Sequence, residues 1–296
     1  MSEATQGRGA ALAVLVFGAC VIGTAPILVR LAEAGPAAAG FWRLLLALPL
    51  LALMAQRTDG GVGAAPKAAL LAGVAFALDL GFWHYSIEMT SVANATVLCN
   101  LSPVVVTALA WIFLKQKVGP RFIAALALAV GGAALIAFGR PPGAPGSNPP
   151  LGDALALSTA LWYALYFVAV SAARRNAGAT RIMFWSTLTG IPLLLVAALA
   201  MGESILPASA AGWAACAALG VMHIVGQGSI AWALGRLPAA TASVVVVIQP
   251  VVAALLGWLL FYEALGPLQA AGAAAALAGV VLAQIASRPK PAVAAA

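Results

Sequence analysis

The stretch ANATVLCNLSPVVVTALAWIFL, residues 93–114, decides how the chain is read. It is an apolar run long enough to cross a bilayer. Yet it carries Asn94, Thr96, Asn100 and Ser102, with Pro103 at its middle. The plan returns at residues 240–261, ATASVVVVIQPVVAALLGWLLF. Pro103 and Pro250 are 147 residues apart, as are Trp111 and Trp258, Gly119 and Gly266, and Pro120 and Pro267. At the same spacing Thr96 pairs with Ser243 and Ser102 with Gln249. So many matches at one offset mark an internal repeat.

Working outward, ten apolar segments appear, at about 10–30, 38–55, 67–87, 92–114, 120–139, 152–172, 181–201, 209–231, 239–261 and 266–286. The breaks between them carry Gly and Pro, as at Gly60-Gly61, Gly119-Pro120, Pro141-Pro142 and Gly266-Pro267. The connection 140–151 splits the ten into five and five. Phe41-Trp42 and Pro49 in the second segment match Phe184-Trp185 and Pro192 in the seventh at an offset of 143. The expected organisation is therefore a first five-helix repeat over 1–139, a Pro/Gly-rich connection over 140–151, a second repeat over 152–288 and a tail over 289–296.

Composition agrees. Hydrophobic residues make up 64% of the 296 residues and charged ones 8%, against roughly 25% in soluble domains. Mean hydropathy is +1.04. The net charge of +7 brings no basic patch interleaved with aromatics, so nucleic acid is not expected as a partner. Cys20, Cys99 and Cys216 are isolated, which supports neither disulfides nor a metal site. Residues 10–29 have the length of a secretory signal, but the second half holds an equivalent helix. The sequons at Asn94 and Asn100 fall inside an apolar segment and are set aside.

With the N-terminus in the cytoplasm, 12 of the 15 basic residues fall in cytoplasmic connections. This points to an N-in, C-in orientation. Five helices per copy is an odd number, so the second copy runs inverted. Two inverted repeats around a central cavity are how many secondary transporters are built.

Ten helices in two repeats, a Pro-centred fourth and ninth, and a Gly-Pro start to the fifth and tenth resemble the drug/metabolite transporter superfamily in its EamA branch. Overall likeness is greatest to the YddG-type exporters of aromatic amino acids. The resemblance implies an all-α fold in the inner membrane, a small-molecule substrate such as an amino acid, and no cofactor.

Polar side chains inside a bilayer are expensive and face protein or a water-filled cavity. Asp79 is such a group, with Trp83 one turn later on the same face. At the 147 offset, His223 stands opposite Phe76 and Gln227 opposite Leu80. Each of these polar groups also suits an interhelical packing bond, and Asp79 a structural couple with Arg43. Thr96, Asn100, Pro103 and Thr107 form one stripe of the fourth helix. Pro103 and Pro250 each remove a backbone donor, which makes them candidate hinges or simple kinks. Trp162, Tyr163 and Tyr166 form a candidate aromatic wall. The expected substrate-binding set is Asp79, Trp83, Asn100, Trp162, Tyr163, Tyr166, His223, Gln227, Ser243 and Gln249. Helices five and ten, with Gly131-Gly132, Gly272 and Gly279, offer faces for packing or for a homodimer.

Such a cavity suits a neutral or zwitterionic solute with an apolar side chain, exported by alternating access. A channel is the alternative from another class. An intramembrane enzyme fits poorly, because neither HExxH nor GxSxG occurs.

Overall fold

A computed structural model describes residues 3–102, 104–105, 119–138, 146–237, 242, 245–246, 248–263 and 266–286. Among these residues the regular structure is entirely helical. The elements are α1 (Glu3–Ile22), α2 (Ala25–Leu31), α3 (Pro36–Thr58), α4 (Lys67–Met89), α5 (Val92–Cys99), α6 (Pro120–Phe138), α7 (Pro149–Ala173), α8 (Ala179–Ala200), α9 (Ala210–Met222), α10 (Gly228–Ala233), α11 (Ile248–Phe261) and α12 (Pro267–Ala286). A π-helical turn, His223–Gln227, joins α9 to α10. Each of the ten apolar segments holds at least part of one of these helices.

Among the described residues, six stretches are long and apolar enough to cross a membrane: Gly9–Leu31, Pro36–Thr58, Lys67–Met89, Pro149–Ala173, Ala179–Ala200 and Ala210–Ala233. Helix starts follow the local chemistry. Side chains of Ser91 and Ser209 accept from the backbone N–H of Asn94 and Gly212, each at 3.1 Å. Pro36 and Pro149 open α3 and α7, where a missing N–H costs nothing.

Large apolar side chains point outward: Phe17, Leu71, Val196, Leu199 and Val221 are all more than half exposed. The contacts between helices are built instead from small residues, such as buried Ala37, Ala38, Ala47, Ala69 and Ala72. That distribution suits lipid, where tails are as apolar as Leu and close backbone approach supplies the attraction.

Helices α3 and α8 pack together and are clasped by reciprocal bonds. Trp42 Nε1 donates to the Ile205 carbonyl at 2.7 Å, and Trp185 Nε1 to the Val62 carbonyl at 2.9 Å. Both residues of one bond lie 143 positions from their counterparts in the other. The Glu203 carboxylate accepts from Ala37 and Ala38 N–H at the start of α3, at 3.2 and 2.9 Å. Asp59 does the same for Arg181 N–H at the start of α8, at 2.7 Å. A carboxylate at a helix N-terminus complements its dipole. Gly35 and Gly178, also 143 apart, give these carboxylates room, since a Cβ there would run into Glu203 or Asp59.

Helix ends gather at two opposite places. Arg30, the carbonyls of Ile87 and Thr90, Val92 and Glu263 meet at one end. Asp59 and Gly61 meet Arg181, and Arg174 meets Ala231, at the other.

Helices α6 and α12 pack on each other. Gly132 lies against the Gly272 carbonyl and Ala276, and Gly279 against Ala129 and Ala125. Their small-residue faces are thus used within the chain, whereas Gly131 is exposed with open space beside it.

Candidate functional site

Polar groups converge where α3, α4, α7, α8, the π-turn and α11 meet. Phe76 sits at the middle of the cluster. Its ring centroid lies 4.8 Å from that of Tyr166 and 5.3 Å from that of His223, and the Arg43 guanidinium stands 5.6 Å away. Asp79 is three residues further along α4, on the same face. Tyr163 stacks on Tyr166 with centroids 6.2 Å apart and planes 11° from parallel. Charge interactions tie Asp79 to Arg43, Tyr163 and Tyr166, and the Gln249 side chain lies near Tyr163 without a hydrogen bond to its hydroxyl.

These side chains are buried, and many of their polar atoms have no hydrogen-bond partner among the described residues. The orphans are Nε and Nη1 of Arg43, Oδ1 of Asp79, Nε1 of Trp83, Nε2 of His84, the Tyr163 hydroxyl, Nδ1 of His223, Oε1 of Gln227 and Nε2 of Gln249. Unsatisfied groups are rare in native interiors and each costs about 1–3 kcal/mol, more when charged. Here they are concentrated in one place. Unused donors and acceptors beside aromatic rings make this cluster the candidate site.

The backbone is irregular at the same level. α5 stops at Cys99, and Asn100 and Leu101 interrupt the helix just ahead of Pro103, as the restriction on residues before proline leads one to expect. The π-turn carries both His223 and Gln227, and such bulges recur at functional positions. Non-helical backbone at membrane depth is tolerated where protein or a cavity surrounds it.

Five of the residues expected from sequence meet here: Asp79, Tyr163, Tyr166, His223 and Gln249; Trp83 and Gln227 are buried four residues beyond Asp79 and His223. His223 is anchored through Nε2 to the Thr187 hydroxyl at 2.9 Å. Asn100 is buried, but its amide donates to the Thr96 carbonyl at 2.8 Å, so that donor is spent on its own helix. Trp162 is half-buried, and its ring meets Phe82 with centroids 6.2 Å apart. Pro250 is buried at the third position of α11. Ser243 and Pro103 lie outside the described residues, as does Thr107.

The 147 offset does not hold for α4 and its counterpart. α4 and α9 begin 143 residues apart, at Lys67 and Ala210; α4 and α10 end 144 apart, at Met89 and Ala233. The second copy is one residue longer, which is the residue a π-turn inserts. From the π-turn onward His223 therefore matches Asp79 and Gln227 matches Trp83, correcting the pairing with Phe76 and Leu80.

The sequence reading missed Arg43 as a site residue, the hub position of Phe76, and the support from His84 and Thr187. A cation at the eighth residue of α3, within an apolar run, was the available signal for Arg43. His84 is fixed by Nδ1 against the Pro36 carbonyl at 2.8 Å.

Comparison with known proteins gives the family. The EamA-like transporter family matches the chain twice, over residues 9–138 and 150–284. An "uncharacterized transporter" of Archaeoglobus fulgidus is 26% identical over 273 residues, spanning 92% of this chain and 95% of its own. A chain of known crystal structure superposes with a TM-score of 0.65 at 18% identity, covering 94% of this chain and 97% of that one, a likeness of fold. The chain belongs to the EamA-like transporter family, and it is a multi-pass membrane transporter of small solutes, not an enzyme.

Proposed function

We propose that the chain is a secondary transporter that exports small zwitterionic metabolites, aromatic amino acids foremost, across the inner membrane by alternating access. The observation that carries this reading is the set of orphaned polar atoms beside stacked aromatic rings. The tyrosines and Trp83 form the apolar wall, while His223, Gln227, Gln249 and Asp79 supply polar contacts.

Alternating access asks for two similar halves facing opposite ways. Support for that arrangement comes from the double family match and from the reciprocal bonds of α3 and α8 at a spacing of 143. Ten spans with both termini in the cytoplasm fit the basic residues, which crowd Arg57, Lys67, Arg174, Arg175, Arg181 and Arg236 toward one end.

Cysteines placed at Gly60 and Arg175 are expected to stay shielded from an impermeant thiol reagent in intact cells, while those at Asn148 and Ala208 label. The opposite pattern overturns the orientation and with it the sense of transport.

In proteoliposomes, flux of tryptophan, phenylalanine and tyrosine should exceed that of glutamate or lysine. Tyr163→Ala should lower tryptophan flux about tenfold relative to alanine flux, the scale of a lost ring contact and its buried area. Trp162→Ala, which removes a ring held against Phe82, should change that ratio less. Equal flux of charged and aromatic amino acids would reject the substrate class.

A further inference from the structure

Arg43 is the most unusual residue in the bundle. It is 1% exposed, the largest of the fully buried side chains. Nε and Nη1 have no acceptor among the described residues. Phe76 holds the guanidinium by its charge and uses none of its N–H donors.

Asp79 is the complementary oddity. It too is buried, and its Oδ1 accepts from nothing among the described residues. The two side chains feel each other's charge, yet the ion pair found among the described residues is Arg30–Glu263, not this one. A structural couple in a dry interior closes to direct contact, because only then does attraction offset the cost of leaving water. These two stand open. Two groups of opposite formal charge in a low-dielectric site, each with unused hydrogen-bonding atoms, are complementary to a ligand that carries both charges itself.

We infer that Arg43 and Asp79 form a zwitterion reader: Arg43 binds the carboxylate of the transported solute and Asp79 its ammonium group. The inference rests on the proposed amino-acid transport and names which atoms of the solute are read. A guanidinium offers paired N–H donors matched to a carboxylate. A carboxylate accepts from an ammonium group, which has three donors and no acceptor. With the ligand between them, each protein charge gains the hydrogen bonds it lacks. The solute's side chain then extends along Phe76, Tyr163 and Tyr166. A second carboxylate or a second ammonium group finds no further free charge among the described residues of this cluster, so acidic and basic amino acids are disfavoured by the same pair. Arg43 and Asp79 thus select by charge pattern, and the aromatic wall selects by shape.

The test uses three radiolabelled compounds that share an indole ring: tryptophan, tryptamine without the carboxylate, and indole-3-propionate without the ammonium group. In wild-type proteoliposomes tryptophan should be moved best, and each analogue should compete at least tenfold more weakly. Arg43→Gln should lower tryptophan binding by about a hundredfold, the scale of truncating one member of a buried charge contact. It should abolish indole-3-propionate binding and spare tryptamine. Asp79→Asn should do the reverse, sparing indole-3-propionate. Arg43→Lys, which keeps the charge and loses the fork, should recover part of the tryptophan binding. Monodisperse elution of each variant from a sizing column reports folding independently of ligand. Equal competition by all three compounds in the wild type, which needs no variant, overturns the inference. So does a uniform loss of all three ligands in folded Arg43→Gln that lysine fails to relieve. A wild-type protein that moves no amino acid at all sinks the transport reading itself. One that moves tryptophan with no preference over the two analogues sinks only the zwitterion reader.

Discussion

Leucine at position 132 is expected to leave little folded, monodisperse protein after extraction from the membrane, while leucine at neighbouring Gly131 leaves wild-type amounts. The two glycines stand side by side in α6 and face opposite surroundings. A Cβ built on Gly132 would come within 2.6 Å of the Gly272 carbonyl oxygen and 2.8 Å of Ala276 Cα on α12. Those are backbone atoms, so no rotamer change relieves the clash and the helices must separate. Overpacking a tight core costs about 1–3 kcal/mol where side chains adjust, and more is expected where two backbones meet. Close approach is also the main source of helix attraction in lipid, so separating α6 from α12 forfeits the whole contact. Gly131 meets nothing within 4 Å. Leucine there meets open space and suits a helix better than glycine. Thermal denaturation followed by size exclusion reads the contrast. Equal losses at both positions would overturn the assignment of Gly132 to packing within the chain.

The second large effect belongs to Glu263. Its carboxylate forms an ion pair with Arg30 and accepts from the Val92 N–H at 3.0 Å. Arg30 in turn donates to the carbonyls of Ile87 and Thr90 at 3.0 and 3.2 Å and lies over the Phe261 ring. The pair thus ties α2, the end of α4, the start of α5 and the end of α11. At the opposite end Arg174 occupies the matching place and donates to the Ala231 and Ala177 carbonyls at 3.1 and 2.6 Å. There burial and the neighbouring Arg236 push its pKa below an arginine's usual value, with the Asp59 carboxylate opposing them. On the proposed orientation the Arg30–Glu263 ion pair lies at the outer end and helps to hold it closed.

Glu263→Gln should release it. Removing one charge of a mostly buried pair costs about 2 kcal/mol at the low end of such contacts, a shift of roughly thirtyfold in a two-state equilibrium. Native Cys99, buried beside the site and within reach of the charge on Asp79, reports the change. In a Cys20→Ser, Cys216→Ser background, an impermeant thiol reagent added outside should label Cys99 at least tenfold faster when Gln replaces Glu263. Unchanged labelling would mean that the ion pair does not hold the outer end shut.

How far the sequence reached is clearest in the helices. Apolar length, Gly and Pro at the breaks, and the match of Phe41-Trp42 with Phe184-Trp185 are local properties of the chain. They were enough to place part of a helix in each apolar segment. The interior of the candidate site was decided elsewhere. The Asn100 amide turns back on the Thr96 carbonyl, and Trp162 meets Phe82. Arg43 Nε and Nη1 have no acceptor among the described residues, and the position of the side chain depends on how α3 is held against α4 and α8. The Trp42–Ile205 and Trp185–Val62 bonds set that geometry, and each joins residues far apart in sequence. The shift of offset from 147 to 143 and 144 has the same character. One residue inserted in a helix turns every later side chain by about 100°. Sequence determined that polar groups lie within the membrane-spanning helices of this protein. Only the tertiary structure decided which face each one shows, because rotation about a helix axis is fixed by neighbouring helices and not by the helix itself.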